Sequence, residues 1–181
     1  MILGISGPYG AGKGEVVEYL RARSFYPLSL SDVLRDELRA RGEAETRERM
    51  IATGNELRAR HGLAVLAERL CARLLPDRNY VIDSIRHPAE VAALRAQGRG
   101  FRLVWVDADP SLRIERLRSR NRPGDPASLA MLLDQEGRER SGGGESAQQL
   151  DAVAALADFR VRNEGSLAEL HGAVQAVLEA C

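Results

Sequence analysis

Short apolar runs alternate with segments of helical spacing from the start of the chain. The run Ile2–Ser6 is apolar and leads into Gly and Pro, a pattern typical of a buried parallel strand. In the segment that follows, 12–23, Val16, Val17 and Leu20 recur at helical spacing. The chain therefore begins with a predicted strand, a glycine-rich turn and a helix.

The same alternation continues to the C-terminus. Further strands are predicted at 26–30, 80–83, 101–106 and 159–162. Further helices are predicted from a cap at Ser29 or Ser31 through Arg41, at 46–60, at 63–75, from Pro88, from Asp109-Pro110 and at 166–178, with turns or mobile segments at 122–126 and 141–144. This order predicts an α/β fold: one domain over 1–181, with a parallel, five-stranded sheet between two helical layers, a three-layer αβα architecture.

The glycine-rich turn after the first strand is the most specific motif of the chain. The run from Gly7 to Gly14 reads G-P-Y-G-A-G-K-G and fits the pattern G-x-x-x-x-G-K. Glycines let backbone amides approach phosphate oxygens, and the following helix adds partial positive charge at its N-terminus. We therefore expect ATP to bind here, although a turn without a ligand is the structural alternative. The expected ATP-binding residues are Gly7, Tyr9, Gly10, Ala11, Gly12, Lys13, Gly14 and Glu15.

Composition strengthens this prediction. Of the 26 basic residues, 25 are Arg, and the single Lys is Lys13, inside the glycine-rich turn. An ammonium is a compact point charge, whereas a guanidinium is a wide planar fork. A tight ring of backbone amides admits the first and excludes the second. Chance is the alternative, but the position favours a catalytic Lys13 that bridges the β- and γ-phosphates.

The position after Lys13 departs from the full motif. A Ser or Thr hydroxyl that ligates Mg²⁺ is expected there, but the residue is Gly14, followed by Glu15. Glu15 is either close to the metal or, as we favour slightly, a first-turn helix carboxylate. Asp83 ends a hydrophobic strand, where it is expected to orient water on Mg²⁺; an N-cap or turn Asp is the alternative. The cofactor is thus expected to be Mg²⁺, held by Asp83 through water.

Two arginines follow strands at the edge where ligands bind in parallel sheets. Each lies three residues beyond an Asp, in Asp32-x-x-Arg35 and in Asp83-x-x-Arg86. Such arginines can clamp an acceptor phosphate in bidentate fashion, although either one alone is more often a solvated surface residue. The expected acceptor-binding residues are Ser31, Asp32, Arg35 and Arg86, on a helical segment at about 31–75 and at the end of the third strand.

A basic run from 113 to 122 predicts a lid. Arg113, Arg116 and Arg120 share one helix face by their spacing, and a Pro/Gly turn follows Arg122. A mobile segment that brings arginines over the phosphates excludes water and neutralises developing charge. We expect the lid at about 113–140, with Arg116 and Arg120 catalytic beside Arg86. Arg138 and Arg140 are further candidates, and a solvated basic face is the alternative.

These elements resemble the nucleoside monophosphate kinase branch of the P-loop kinases. The G-K-G form, the Leu30-Ser turn with Arg35, the Asp83-x-x-Arg86 element and Glu115-Arg116-Leu117-x-x-Arg120 are similar to adenylate kinase elements. The stretch Ala157–Leu167 resembles dephospho-CoA kinase, which implies that Asn163 and Gly165 lie beside adenine. The resemblance, in patches from Ile2 to about Leu178, implies a P-loop NTPase kinase fold with a short lid. The short lid, the Glu15 in place of Thr and the segment 46–60 match no single subfamily, so the acceptor stays open.

Three functions remain as hypotheses. The first is Mg²⁺-dependent phosphoryl transfer from ATP to a nucleoside or deoxynucleoside monophosphate, which needs arginines and positioning but no base. The second is transfer to a hydroxyl, as in dephospho-CoA kinase, with Asp32 as base. The third is a nucleotide-binding regulatory ATPase. Arginine richness favours the first, and the lid arginines argue against the third. ATP-versus-GTP preference and pathway are left open.

Charge and hydropathy exclude several other classes. Acidic and basic residues balance at 26 each, so we expect no nucleic-acid partner, only small nucleotides. The longest apolar run is too short to span a bilayer, and the apolar start of the chain lacks a basic leader. Cys71 and Cys181 make no disulfide framework. These features predict a cytoplasmic protein with reduced thiols, and they leave the oligomeric state open.

Overall fold

The computed structural model describes residues 1–121, 125–141 and 144–181, with Arg140 and Ser141 described by their backbone alone. Arg122 and most of each predicted turn, at 122–124 and 142–143, lie outside the described residues, as does the Arg140 side chain.

Five parallel strands form one sheet in the order β2-β3-β1-β4-β5. The strands are β1 (Ile2–Ser6), β2 (Phe25–Ser29), β3 (Asn79–Asp83), β4 (Phe101–Asp107) and β5 (Phe159–Arg162). In the central register, Gly4 lies between Ile82 of β3 and Leu103 of β4. The carboxyl ends of β1 and β3 therefore lie side by side, which brings the glycine-rich turn close to Asp83.

Helices connect and cover the strands. They are α1 (Lys13–Arg21), α2 (Leu30–Ala40), α3 (Arg47–His61), α4 (Val65–Cys71), α5 (Pro88–Arg95), α6 (Pro110–Arg120), α7 (Leu129–Ser141), α8 (Leu150–Ala155) and α9 (Leu167–Glu179). Ser29, one of the two predicted caps, accepts a hydrogen bond from the Ser31 amide, and Asp109 caps α6 as expected. The predicted helix 63–75 is shorter, because Gly62 ends α3 at a positive φ and α4 begins only at Val65. Helix α8 was not predicted.

Alternate residues of the central strands face opposite helical layers. Ile2, Leu103 and Trp105 pack in one buried cluster with α2, α3, α4, α5 and α8. Leu3 and Val104 pack in the other cluster with α1 and α9. Both faces of the sheet are therefore covered, and the predicted three-layer αβα fold with a parallel, five-stranded sheet is confirmed.

Helices α6 and α7 pack against each other beside the sheet. Ile114, Leu117 and Leu132 form a small buried cluster of their own, with Tyr9 of the glycine-rich turn against it. Through Tyr9, this pair of helices packs against the glycine-rich turn. Among the described residues, no helix is long and apolar enough to cross a membrane.

Candidate functional site

The turn between β1 and α1 depends on glycine at two positions. At Gly7 a side chain would lie 2.0 Å from the carbonyl oxygen of Val106, and the backbone φ is +143°. At Gly12, which precedes α1, φ is +94° and a Cβ would lie 2.1 Å from Nδ2 of Asn163. Only glycine fits such close approaches at positive φ. The backbone of the loop therefore takes a course that residues with a side chain could not follow at these two positions.

Lys13 folds back over this loop. Its Nζ donates hydrogen bonds to the carbonyl oxygens of Gly7 (2.8 Å) and Pro8 (2.7 Å). The pKa of Lys13 is lowered to about 7, chiefly by burial and to a smaller extent by the positive charge of Arg86, whereas Asp83 and Glu139 act in the opposite direction. A bound polyanion would favour the charged form of the amine. Near neutral pH, the Lys13 amine is therefore only partly protonated until an anion binds.

The glycine-rich loop forms one wall of a cleft of about 820 Å³. The cleft brings together fourteen of the seventeen predicted site residues, and of the others Gly7 and Ala11 lie within the loop itself. The predicted residues that line it are Tyr9, Gly10, Gly12, Lys13, Gly14, Glu15, Ser31, Arg35, Asp83, Arg86, Arg116, Arg120, Asn163 and Gly165. Residues from sequence-distant segments therefore converge at the carboxyl edge of the sheet.

Asp83 ends β3 beside Lys13. One of its oxygens, Oδ1, accepts a hydrogen bond from Ser84 Oγ (3.0 Å), and Ser29 Oγ donates to the same Ser84 hydroxyl (3.0 Å). Among the described residues, no group of three or more His, Cys, Asp or Glu side chains could hold a metal ion. A single carboxylate on an open cleft fits a hydrated Mg²⁺ that takes its remaining ligands from phosphate oxygens and water.

Asp32 has a local structural role at the start of α2. Its Oδ2 accepts from the Ser29 amide at 3.3 Å, as part of a capping box. Its Oδ1 accepts from Arg35 Nη1 at 2.6 Å, and Arg35 also lies 3.6 Å from a Glu45 carboxylate oxygen. Both oxygens of Asp32 therefore have partners, and Asp32 is absent from the lining of the cleft.

A smaller pocket of about 170 Å³ adjoins the cleft and shares Ser31, Ser84 and Arg86 with it. Its other lining residues are Leu30, Leu34, Arg47, Met50, Ile51, Gly54, Arg58, Leu66, Glu139 and Gln148. Arg47, Arg58, Glu139 and Gln148 were not predicted as site residues. The arginines had no distinguishing local pattern in a chain with many arginines, and Glu139 and Gln148 come from distant segments.

Glu90 fixes the backbone and arginines around this pocket. Its carboxylate is fully buried and accepts from Arg58 Nη2 at 2.8 Å and from the amides of Arg86 (2.8 Å) and His87 (3.1 Å). It thereby ties α3 to the segment that follows β3. The position of Arg86 is therefore set by the buried side chain of Glu90 on α5.

The lid arginines divide into different environments. Arg113 is buried in an ion pair with Glu136 and donates to the carbonyl oxygens of Ala108 (2.9 Å) and Tyr9 (3.0 Å). Arg116 lines the cleft, and within the described part of the chain its buried Nη1 has no hydrogen-bond partner. Arg113 is therefore part of the framework, whereas Arg116 has donor capacity left for a ligand.

The two remaining lid candidates are engaged with carboxylates. Arg120 lines the cleft and pairs with Asp125 at 2.7 Å. Arg138 pairs with Asp134 at 2.6 Å, and both of these side chains are exposed. Arg120 is thus placed to act in the cleft, whereas Arg138 points to solvent on α7.

Tyr9 connects the loop to both sides of the cleft. Its hydroxyl donates to Asp125 Oδ1 at 2.6 Å, and burial and this hydrogen bond raise the pKa of Tyr9. The guanidinium carbons of Arg47 and Arg120 lie 4.4 Å and 5.0 Å from the ring centre. Contacts of this kind are cation–π interactions. The ring therefore contacts α3 and α6 at once.

The segment after β5 closes the other end of the cleft. Asn163 Nδ2 donates to the carbonyl oxygen of Ala11 at 2.9 Å, and the backbone N–H of Asn163 donates to the carbonyl oxygen of Asp107 at 2.7 Å. Asn163 and Gly165 both line the cleft. The observed contact of Asn163 is with the loop, so its expected role beside adenine stays a prediction.

Comparison with known proteins agrees with this geometry. A family model described as an AAA domain matches residues 3–132. A UPF0200 protein of Methanothermobacter thermautotrophicus is 31% identical over 98% of this chain and 89% of its own length. Another, from Hyperthermus butylicus, is 32% identical over 98% of this chain and 93% of its own.

Solved structures share the fold. The crystal structure of TT1252 from Thermus thermophilus has a TM-score of 0.57 and 24% identity, and covers 99% of this chain and 97% of its own. Shikimate kinase from Acinetobacter baumannii, in complex with shikimate, has a TM-score of 0.57 and 14% identity, and covers 99% and 91%. These likenesses establish a P-loop kinase-like fold. By the family model and by relatives that align over nearly its whole length, the chain belongs to the AAA domain family so described and to the UPF0200 family.

Proposed function

We propose that this protein transfers the γ-phosphoryl group of ATP to a phosphorylated small molecule, with a nucleoside or deoxynucleoside monophosphate as the acceptor. The observation that carries the proposal is the convergence of Lys13 and four arginines on one cleft. The arginines are Arg35, Arg86, Arg116 and Arg120, which come from α2, the end of β3 and α6. Such a set of cations suits a reaction between two polyanions.

In this reaction an acceptor phosphate oxygen forms a bond to the γ-phosphorus as the bond to the β–γ bridging oxygen breaks, and ADP leaves. A phosphate oxygen needs no general base, so the protein supplies positioning and charge stabilisation. Lys13 is placed to bind β- and γ-oxygens from the loop. Arg116, with its unpartnered Nη1, and Arg120 cover the transferring group from α6.

Asp83 and the phosphates would hold Mg²⁺, the cofactor of this proposal. When bound, Mg²⁺ neutralises charge that develops on the phosphate oxygens. The Asp83 carboxylate faces the cleft with Lys13, and Ser84 fixes one of its oxygens. Gly14 offers no hydroxyl, which supports an ion held largely through water.

Two segments of the single domain would divide the substrates between them. The acceptor would bind between the helical segment 31–75 and Arg86, next to Ser31 and Arg35. The lid, 113–140, would close over ATP. Arg113, through its contact with the Tyr9 carbonyl, ties the start of that lid to the glycine-rich loop.

Transfer to a hydroxyl is less well supported by the geometry. Such an acceptor benefits from a carboxylate base, and Asp32 is already engaged with the Ser29 amide and Arg35. A regulatory ATPase would leave the acceptor-side arginines without a role. Phosphoryl transfer to a phosphate group uses the residues that are present.

The test is an ADP-release assay with MgATP against panels of nucleoside monophosphates, deoxynucleoside monophosphates and dephospho-CoA. We expect at least one monophosphate to stimulate ADP release, and Arg35→Ala to raise the KM of that acceptor far more than the KM of ATP. Arg138→Ala, which removes an exposed arginine of α7, is the matched control. Stimulation by dephospho-CoA alone would favour the hydroxyl acceptor, and stimulation by no compound would favour the ATPase.

A further inference from the structure

A glutamate from the lid helix lies between two arginines at the mouth of the smaller pocket. Glu139 on α7 pairs with Arg47 of α3, and its Oε2 accepts from Arg86 Nη1 at 3.1 Å. The Glu139 side chain is only 5% exposed, and those of Arg47 and Arg86 are 23% and 21% exposed. One carboxylate is therefore held by two cations at a site that is largely shielded from water.

The charges at this site do not balance. Two guanidiniums carry two positive charges, and Glu139 supplies one negative charge. A phosphomonoester dianion matches two arginines, and it would be repelled while the glutamate stays in place. The two positive charges of Arg47 and Arg86 are thus balanced better by a phosphate dianion than by the single carboxylate of Glu139.

The pocket behind the arginines has the lining of a recognition site. Leu30, Met50 and Ile51 supply apolar surface, and Gly54 leaves space between them. The Gln148 side chain also lines the pocket, and within the described part of the chain its buried Oε1 has no hydrogen-bond partner. An unpaired buried amide oxygen is costly unless a ligand or water donates to it. A ligand with an apolar body and a hydrogen-bond donor would fit.

We propose that Glu139 is a resident anion which the phosphate of the acceptor displaces from Arg47 and Arg86, with the body of the acceptor in the pocket beside Gln148. This inference rests on the proposed function for the identity of the displacing molecule as an acceptor. It adds Arg47 and Gln148 to the acceptor site. It also couples acceptor binding to the lid, because the displaced carboxylate belongs to α7.

A second buried ion pair of α7 would hold the helix in place during this displacement. Glu136, one helical turn before Glu139, pairs with Arg113, which also donates to the Tyr9 and Ala108 carbonyls. Each of the three guanidinium nitrogens of Arg113 donates to a protein group. Release of Glu139 would therefore detach α7 from Arg47 and Arg86, while Glu136 keeps the helix paired with α6.

The experiment uses methyl phosphate, the smallest phosphomonoester, in the absence of nucleotide. Its dissociation constant is measured by NMR titration of the arginine Nε–H signals, with those of Arg47 and Arg86 assigned from Arg47→Lys and Arg86→Lys. We expect Glu139→Gln to bind methyl phosphate at least about tenfold more tightly than the wild type, because the competing charge is gone while the side-chain shape is kept. Asp134→Asn, which removes an exposed carboxylate from the same helix, should bind as the wild type does.

Equal or weaker binding by Glu139→Gln, or shifts that spare the signals of Arg47 and Arg86, would overturn the proposal. Should Glu139→Gln fail to fold, Glu139→Asp keeps the charge but shortens the reach. It should bind methyl phosphate more tightly than the wild type, and unchanged affinity would refute the displacement.

The outcome separates this inference from the proposed function. If methyl phosphate binds tightly but no acceptor is phosphorylated by ATP, the proposed kinase function would be refuted and the anion site would be supported. Conversely, the protein could be an active kinase in which Glu139→Gln leaves the KM of the acceptor unchanged. That result would refute the displacement of Glu139 and support the proposed kinase function. Mutation of Gln148→Leu should raise the KM of the acceptor, with little change in the KM of ATP.

Discussion

At the scale of single residues, the proposed chemistry depends most on Lys13. Its amine spans the loop to the Gly7 and Pro8 carbonyls and lies close enough to Asp83, Glu139 and Arg86 to feel their charges. These loop contacts hold the amine in place before a nucleotide binds. Such preorganisation lets a cation stabilise transition-state charge without rearrangement.

Removal of this amine is expected to abolish activity and leave the fold intact. In Lys13→Ala we expect kcat/KM for phosphoryl transfer to fall by about 10²–10³-fold or more, as for loss of other preorganised charge contacts. The measurement is acceptor-dependent ADP release, with circular dichroism as the check on folding. Turnover within tenfold of the wild type would show that the loop does not bind the transferring phosphate.

The low pKa of Lys13 predicts proton uptake on nucleotide binding. In the free protein this pKa is about 7, so at pH 8 most molecules carry a neutral amine. A triphosphate favours the ammonium and raises the pKa, so MgATP binding at pH 8 should take up close to one proton, and affinity should fall as the pH rises above about 7. Binding calorimetry at pH 8 and pH 6, in buffers of different ionisation enthalpy, measures the uptake.

At pH 6 the amine of the free protein is already protonated, so little uptake from Lys13 is expected there. Nucleotide phosphates are already deprotonated at pH 8, so uptake at that pH must come from the protein. No uptake at pH 8 would mean that Lys13 is charged before the nucleotide binds.

At the scale of elements, the junction of β1 and α1 is held by a side chain from the other end of the chain. Asn163, after β5, donates to the Ala11 carbonyl and lies against Gly12. Gly12 is the residue before α1 and has a left-handed backbone. The start of α1 and the end of β5 therefore share one tightly packed contact.

This contact predicts opposite effects of two glycine substitutions. Gly12→Ala should lower the free energy of unfolding by about 2 kcal/mol or more, because alanine disfavours positive φ and its Cβ would strike the Asn163 amide. Gly14→Ala, on α1 with open space around it, should be neutral or stabilise by up to about 1 kcal/mol. Urea denaturation followed by circular dichroism measures both. A comparable loss in the two variants would contradict the role given to Asn163.

The sequence predicts strands better than it predicts short helices. The predicted strand 159–162 coincides with β5, and β3 and β4 differ from the predicted strands by one residue at one end. Helix α8 has only six residues and no side-chain cap, so it lacks the spacing and start signals on which prediction relies. Its place is set by packing, since Leu150 and Val153 are buried against the core.

At the scale of the whole molecule, the predicted lid contacts the glycine-rich loop at Tyr9, in part through the buried side chain of Arg113. Arg113 and Glu136 join α6 to α7, and Arg113 also donates to the Tyr9 carbonyl. Tyr9 in turn contacts Arg47 and Arg120 from opposite sides of the cleft. Through Tyr9, the glycine-rich loop therefore contacts both the predicted lid and α3.

Loss of one partner of this ion pair is expected to be costly. Arg113→Met should lower the free energy of unfolding by about 3–5 kcal/mol, because Glu136 would stay buried without its partner. The double variant Arg113→Met with Glu136→Met should recover much of that loss. Arg118→Ala, an exposed arginine on the same helix, should change stability by less than about 0.5 kcal/mol. A double variant as unstable as the single one in urea denaturation would contradict this account.

Some residues of the candidate site belong to local sequence motifs, whereas others are brought together only by packing between distant segments. The glycine-rich loop, Asp83 and Arg116 could be predicted because glycine spacing, strand ends and the helical spacing of arginines are visible in a few consecutive residues. Glu139 meets Arg47 across 92 positions of sequence, and no local pattern signals such a pair. Asp32 was predicted to bind the acceptor from its place after a strand, whereas its oxygens cap α2 and hold Arg35.

Because Lys13 is the only lysine of the sequence, a reagent that modifies amines can probe the glycine-rich loop selectively. With 25 arginines elsewhere, the Lys13 amine and the N-terminal amine are the two primary amines that an acylating reagent can label. A pKa near 7 leaves the Lys13 amine largely neutral, and so nucleophilic, at mildly alkaline pH, where ordinary lysines are protonated. One round of acetylation with peptide mass mapping would therefore report occupancy of the loop directly, through protection of a single peptide.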